Sequence, residues 1–378
     1  MAEPLKDLYN ETFIREFGEK VKGVHPSFST ESFVREVIDE HWDERKLKER
    51  IRHISITLGK YLPSDYQEAL DILYRIDKDC EGFRYLFFPD FVEVHGLNKE
   101  DWPLSLDALE RFTARSSSEF AIRAFILLDP VLLIEKMKEW TKHDNEHVRR
   151  LASEGCRPRL PWGQALPIFK SDPTPVLELL ENLKSDPSLY VRKSVANNLN
   201  DIARDHPNAV IATAKRWHES GNAQTIWIIR RGCRNLVRQA DPEVLSLFGY
   251  TDVLNNPTII TNAFLRNEPD SIFIGETSEI HFGFQVHVKD PAKLRIEYTI
   301  DFVKANKKTS RKIFLLADRN FTDGERVERV RIHNWKDLTT RRHYTGIHRI
   351  SLRVNGVEVA ETHVKLNAEP SLFIDNIE

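Results

Sequence analysis

The residues best equipped for chemistry lie in RRLASEGCRPRLPWG, Arg149 to Gly163, where Glu154 and Trp162 stand among Arg149, Arg150, Arg157 and Arg159. A second carboxylate, Asp201, closes the helix-like segment YVRKSVANNLND. Two carboxylates and an indole in positive surroundings suit the breaking of a glycosidic bond. That reaction passes through an oxocarbenium-like sugar, which carboxylates stabilise, and one of them can orient or deprotonate water. The indole offers a π face to a cationic base. Each residue also has an ordinary reading: Glu154 as the i,i+4 partner of Arg150, Asp201 as a cap, Trp162 as core filler.

Positioning these groups falls to helices. DPVLLIEKMKEW starts with Asp129 as N-cap and Pro130 in the first turn, and sets Leu133, Met137 and Trp140 on one face. TPVLELLENL repeats the device with Val176, Leu179, Leu180 and Leu183, and HPNAVIATAKRW and DPEVLSLF follow it. Laying HVRRLASEGCRP over YVRKSVANNLNDI sets Val148 on Val191, 43 residues on, and WIIRRGCRNLV then sets Ile229 on Val191, 38 residues on. A period near 40 built from helix pairs is that of HEAT-like α-solenoids.

On this overlay Lys193, Asn197 and Asp201 share one helical face, Arg150 and Glu154 occupy the first two of those positions, and Arg231, Asn235 and Gln239 match all three. The expectation is a ladder of cations, suited to phosphates, above a groove where carboxylates meet.

From Ile280 onward the period becomes two. Ile280, Phe282, Phe284, Val286 and Val288 alternate, as do Leu294, Ile296, Tyr298, Ile300 and Phe302, and Asn355-Gly356 marks a tight hairpin after Ile350, Leu352 and Val354. About seven such strands predict an immunoglobulin-like β-sandwich, with Tyr344 as a candidate corner tyrosine. The change of period divides the chain into a mainly α, HEAT-like domain at 1–255 and an all-β domain at 262–378.

The chain of 378 residues, 40% hydrophobic and 30% charged, suits two soluble domains. The first residues lack the apolar run of a signal peptide, and no segment approaches a bilayer span of ~18 apolar residues. Three cysteines, Cys80, Cys156 and Cys233, argue against a disulfide framework or a cysteine-based zinc site and suit a reducing cytoplasm. Net charge is -3, yet residues 147–238 hold 15 Lys/Arg against 8 Asp/Glu, and residues 301–353 hold 14 against 6. Two basic zones in an acidic chain point to positioned positive surfaces.

The run ASEGCRPRLPWG with YVRKSVANNLNDIARDHP resembles the AlkC branch of the AlkC/AlkD bacterial alkylbase DNA glycosylases, over the helical half through WIIRRGCRNLVR. The β-sandwich fits the subgroup of that branch with a C-terminal immunoglobulin-like domain. The resemblance implies HEAT-like repeats holding duplex DNA in a basic groove, and excision of cationic bases such as 3-methyladenine and 3-methylcytosine. It implies a monofunctional hydrolase that leaves an abasic site, needs no metal or cofactor and does not flip the lesion into a pocket. Glu154, Trp162 and Asp201 match the branch's motif residues, and Glu119 in SSSEF matches a further carboxylate.

DNA contacts are expected from Arg149, Arg150, Arg157, Arg159, Lys193, Arg230, Arg231 and Arg234. The sandwich residues Lys307, Lys308, Arg311, Lys312, Arg341 and Arg342 are expected to form a second clamp. A bacterial cytoplasmic monomer that joins the nucleoid during repair is the matching picture. The rival readings are a non-enzymatic HEAT scaffold and a DNA-structure-binding protein without catalysis.

Overall fold

A computed structural model describes residues 4–368. Packing divides the chain into two compact units, one ending at Cys233 and the other beginning at Arg234. The change from helices to strands comes later, at β1, so two short helices, Arg234–Gln239 and Pro242–Leu247, belong to the second unit.

The first unit is all α among its described residues, and its last part consists of helix pairs. The first helices of these pairs, Pro130–Trp140, Thr174–Glu181 and Pro207–His218, carry proline in the first turn, where the missing N–H costs no hydrogen bond. The second helices, Glu146–Gly155, Leu189–Ile202 and Ala223–Gly232, have no such proline and start from side-chain caps, Asn145, Ser188 and Asn222. These three pack in series, the middle one against both others. Leu133, Met137, Trp140, Val176, Leu179, Leu180 and Leu183 all lie in the core, as their spacing predicts.

The caps fix the repeat register at 43 and then 34 residues. They set Thr225, not Ile229, on Val191, and Arg231 on Asn197 rather than on Lys193. Hydrophobic periodicity alone cannot detect this slip, because sliding a helix by about one turn keeps its apolar stripe in place. The helix also ends at Gly232, and Asn235 and Gln239 lie in the separate Arg234–Gln239 helix, so the expected three-residue face of the third repeat does not exist. At Gly232 a Cβ would sit 3.0 Å from Leu199, so glycine allows the close approach of the two helices.

The second unit carries two sheets, β1-β3-β6 and β2-β8-β7-β4-β5. Their strands are β1 (Ile260–Glu268), β2 (Ser271–Phe273), β3 (Thr277–Val286), β4 (Ala292–Val303), β5 (Thr309–Phe321), β6 (Arg326–Asn334), β7 (Gly346–Val354) and β8 (Val357–Asn367). The alternating residues of β3, β4 and β7 fill the core between the sheets. Asn355 and Gly356 both have positive φ, +46° and +86°, and turn β7 into β8 with Val354 opposite Val357.

Tyr344 does not act as a corner tyrosine. Its carbonyl accepts from His348 Nε2 at 3.0 Å, and among the described residues its hydroxyl has no hydrogen-bond partner. The buried aromatic anchor is Trp335, whose Nε1 donates to Ser278 at 3.0 Å. Cys80, Cys156 and Cys233 are buried and form no disulfide among the described residues. Among the described residues no helix is long and apolar enough to cross a membrane.

Candidate active site

The site begins where two repeat helices end. Glu154 is the penultimate residue of Glu146–Gly155, and Asp201 the penultimate residue of Leu189–Ile202. A carboxylate in the last turn opposes the helix dipole, whose C-terminal end is already partly negative. Both carboxylates are also buried, 5% and 4% exposed. Two unfavourable placements side by side require a cation, and the chain supplies one from the following turn.

Arg157, buried itself, donates from Nη1 to Glu154 at 2.6 Å and from Nε to Asp201 at 2.8 Å. On the other side Arg150 approaches Glu154 at 3.6 Å and donates to Glu119 at 2.5 Å. The result is a chain of alternating charge, Glu119–Arg150–Glu154–Arg157–Asp201, with three carboxylates against two guanidiniums. Arg150 also lies over the Tyr190 ring at 4.7 Å. Ser194 donates to the second Glu154 oxygen at 2.6 Å, and Ser153 donates to Ser194 at 2.7 Å.

Burial works against the charge on Arg150, yet Glu119 and Glu154 raise its pKa above the ordinary arginine value. Arg157 shows the same balance with Glu154 and Asp201. At Asp201 burial prevails over Arg157 and lifts the carboxyl above its usual range.

Around this chain the expected residues separate into three groups. Arg149 is not an open phosphate ligand: its side chain is 14% exposed and bonds Asp186 at 2.7 Å and the carbonyls of His143 and Asp144. Arg192, 43 residues on, donates to the equivalent carbonyls, Asp186 and Pro187, so this arginine is a structural clamp of the repeat. Arg157 is likewise enclosed, and Arg150 mostly so, both by the carboxylates they hold. Arg159 pairs with Asp205 at 2.7 Å on a partly open face. Lys193, Arg230 and Arg231 are exposed, and Arg231 lies 5.6 Å from the Trp227 ring. Arg234 falls in the second unit.

Trp162 is not core filler. It is 63% exposed and has a φ of +63°, a left-handed conformation uncommon for a bulky residue. In the sandwich, Arg311 is bonded to Asp301 at 2.8 Å and Glu358 at 3.0 Å, and Arg341 lies over Phe302 at 4.4 Å. Lys307, Lys308, Lys312 and Arg342 remain exposed.

Residues that no spacing argument singled out complete the surroundings. Arg123, 1% exposed, donates to the carbonyls of Gly155 at 2.7 Å and Gln164 at 2.5 Å, on either side of the arginine-proline turn. Burial lowers its pKa to about 10. Lys48 donates to the Trp162 carbonyl at 3.0 Å. Gly155 permits the tight approach to Ile122, which a Cβ would meet at 2.7 Å. Ser194 was legible only as the residue three places after the aligned Val191.

The chain joins helix pairs that end in a buried carboxylate–guanidinium network to a domain of two sheets, and comparison places it among DNA alkylation repair proteins. Residues 105–236 match the family model of the DNA alkylation repair enzymes, and residues 262–368 match that of the C-terminal Ig-like domain of the uncharacterised protein YhaZ. "Uncharacterized protein YhaZ" of Bacillus subtilis (strain 168) is 45% identical over 352 residues, 93% of this chain and 96% of that protein. The alkylpurine DNA glycosylase AlkC of Pseudomonas fluorescens, solved bound to DNA containing an abasic site analog, superposes with a TM-score of 0.89 at 34% identity, covering 97% of this chain and 100% of that one. The chain belongs to the AlkC family of DNA alkylation repair enzymes, in the form that carries an immunoglobulin-like domain.

Proposed function

We propose that the protein is a monofunctional DNA glycosylase that hydrolyses the N-glycosidic bond of cationic N-alkylated bases, such as 3-methyladenine and 3-methylcytosine, in duplex DNA. The observation that carries this reading is the Glu119–Arg150–Glu154–Arg157–Asp201 chain at the ends of two repeat helices. A base alkylated on such a ring nitrogen is already positive and departs neutral, so the chemistry needs little general acid. What remains is to stabilise a positive sugar and deliver water.

The chain suits that task. It carries one excess negative charge, and two helix C-termini add partial negative charge at Glu154 and Asp201. Its members are held by mutual bonds, so they need not reorganise as charge develops on the sugar. Arg150 and Arg157 act here as positioning residues that hold the carboxylates in place. Trp162, exposed and bonded through its carbonyl to Lys48, presents its indole to the cationic base without enclosing it, in line with a mechanism that does not flip the lesion. No step calls for a cofactor.

DNA backbone contact is assigned to Lys193, Arg230, Arg231 and Arg159. Residues 1–255 then form the catalytic and DNA-binding region, and residues 262–378 an accessory clamp using Lys307, Lys308, Lys312 and Arg342. The protein acts as a monomer in the bacterial cytoplasm, at the nucleoid. Incubation with methylated duplex DNA tests the reading: free methylated base and an intact strand with an alkali-labile abasic site are expected. Strand scission before alkali would remove the monofunctional assignment, and tight binding without base release would favour a non-catalytic DNA reader.

A further inference from the structure

Trp162 poses a mechanical problem. Its indole is the most exposed of the seven tryptophans, and its backbone is in the left-handed region without being glycine. A residue in that conformation persists only where its surroundings hold it, and such strain collects at functional positions. Within the turn, Gly163 N–H donates to the Leu160 carbonyl at 3.1 Å and Leu166 N–H to the Pro158 carbonyl at 3.3 Å, and Leu160 and Leu166 are buried. Neither bond involves Trp162 itself, whose carbonyl is held from elsewhere in the chain.

Two cations supply that hold. Arg123 fixes the two ends of the segment through the Gly155 and Gln164 carbonyls. Lys48, in the helix Leu47–Tyr61 and 114 residues away in sequence, donates to the Trp162 carbonyl itself. The same ammonium lies 4.6 Å from the centre of the Phe120 ring, and Phe120 follows Glu119, the first carboxylate of the charged chain. One ammonium therefore ties the segment carrying the indole to the segment carrying Glu119. Desolvation by the neighbouring protein lowers its pKa, and the carboxylates of Glu93 and Asp90 oppose that shift.

We infer that Lys48 is a positioning residue for excision: it sets Trp162 against the Glu119–Arg150–Glu154 end of the carboxylate chain, so that base and sugar are engaged together. This rests on the glycosylase reading above. Lys48 touches neither base nor sugar in this account, and its effect is therefore predicted on the chemical step rather than on DNA affinity.

The test uses full-length protein with Lys48→Met and Lys48→Arg. Single-turnover release of methylated base is measured beside affinity for a duplex with a tetrahydrofuran abasic analog, and acrylamide quenching reports the indole. In Lys48→Met the single-turnover rate should fall about tenfold or more, since misplacement on the order of 1 Å is enough for such losses. Affinity and its salt slope should hold, and the quenching difference between the protein and its Trp162→Phe form should change. Lys48→Arg, which keeps a donor and a cation, should recover most of the rate.

A salt slope lower by about one with an unchanged single-turnover rate would make Lys48 a phosphate contact and overturn the inference. A normal rate with normal quenching would overturn it as well. Absence of base release from the wild-type protein would instead refute the glycosylase reading, and this inference with it.

Discussion

Replacing Arg157 with methionine separates the charge network from mere packing. The guanidinium is 7% exposed and bonds two carboxylates that are themselves buried, at 2.6 and 2.8 Å. Removing one partner of a buried ion pair costs about 3–5 kcal/mol, because the remaining charge stays buried without compensation. For a helical unit of this size each kcal/mol lowers the melting temperature by roughly 2–4 °C, so a loss of about 6–12 °C is expected at the lower end of that cost.

The loss must also depend on pH, with a definite sign. Asp201 already has a raised carboxyl pKa through burial, despite Arg157. Without the guanidinium it rises further. A carboxyl raised in the folded state contributes stability that is present below its unfolded pKa and lost as pH rises through the folded one. Arg157→Met should therefore lose more stability at about pH 8 than at about pH 5, where protonation relieves the orphaned charge. Thermal melting followed by the helical circular dichroism signal measures this. Equal losses at both pH values, or a shift under about 2 °C, would refute the claim that Arg157 exists to compensate the two carboxylates.

Trp162→Ala should reduce excision of a cationic methylated base more than of a neutral lesion, by roughly two- to thirtyfold in relative kcat/KM, the equivalent of about 0.5–2 kcal/mol of cation–π contact. Equal losses on both substrates would remove that role. Lys193→Ala or Arg231→Ala should each lower the salt slope of DNA binding by about one, and charge reversal at Lys307, Lys308 and Lys312 should lower it further. Arg149→Met should instead lower the melting temperature and leave the slope alone; unchanged slopes in the lysine variants would end the clamp assignment. In the sandwich, burial lowers the His333 pKa from 6.5 to about 4. Its neutral form therefore adds stability that is present above pH 6.5 and lost as pH falls through 4, up to about 3 kcal/mol, and a His333→Gln variant should show a flatter acid melting profile.

How much of this was legible in the sequence depends on which signals are local. Alternation in β3, β4 and β7 and the Asn355-Gly356 turn need only neighbouring residues, and the core follows them. The three-residue strand β2, which pairs in parallel with β8, is too short to show any period. Proline in the first turn and the caps announced the helix pairs. The third repeat slipped by about a turn because its apolar stripe fits both registers, and only Asn222 as cap decides between them.

The site was half visible. Charge type and spacing singled out Glu154 and Asp201, but the overlay set Glu154 against Asn197. They share Arg157 because each stands next to the last residue of its helix, and the helices differ in length, 10 and 14 residues. Sequence shows that arginines are present; it does not show which are closed into ion pairs, as Arg149 and Arg157 are. Lys48 and Arg123 act through backbone carbonyls, and a carbonyl acceptor leaves no trace in residue type.

The central claim is that buried carboxylates at two helix ends break the glycosidic bond. Its most direct test is the release of free base from methylated duplex DNA by wild-type protein, Glu154→Gln and Asp201→Asn, with DNA binding measured in parallel. The wild type should release free base, and each variant should lose about a hundredfold or more with binding largely kept. Undiminished release from both variants, or none from the wild type, would contradict it.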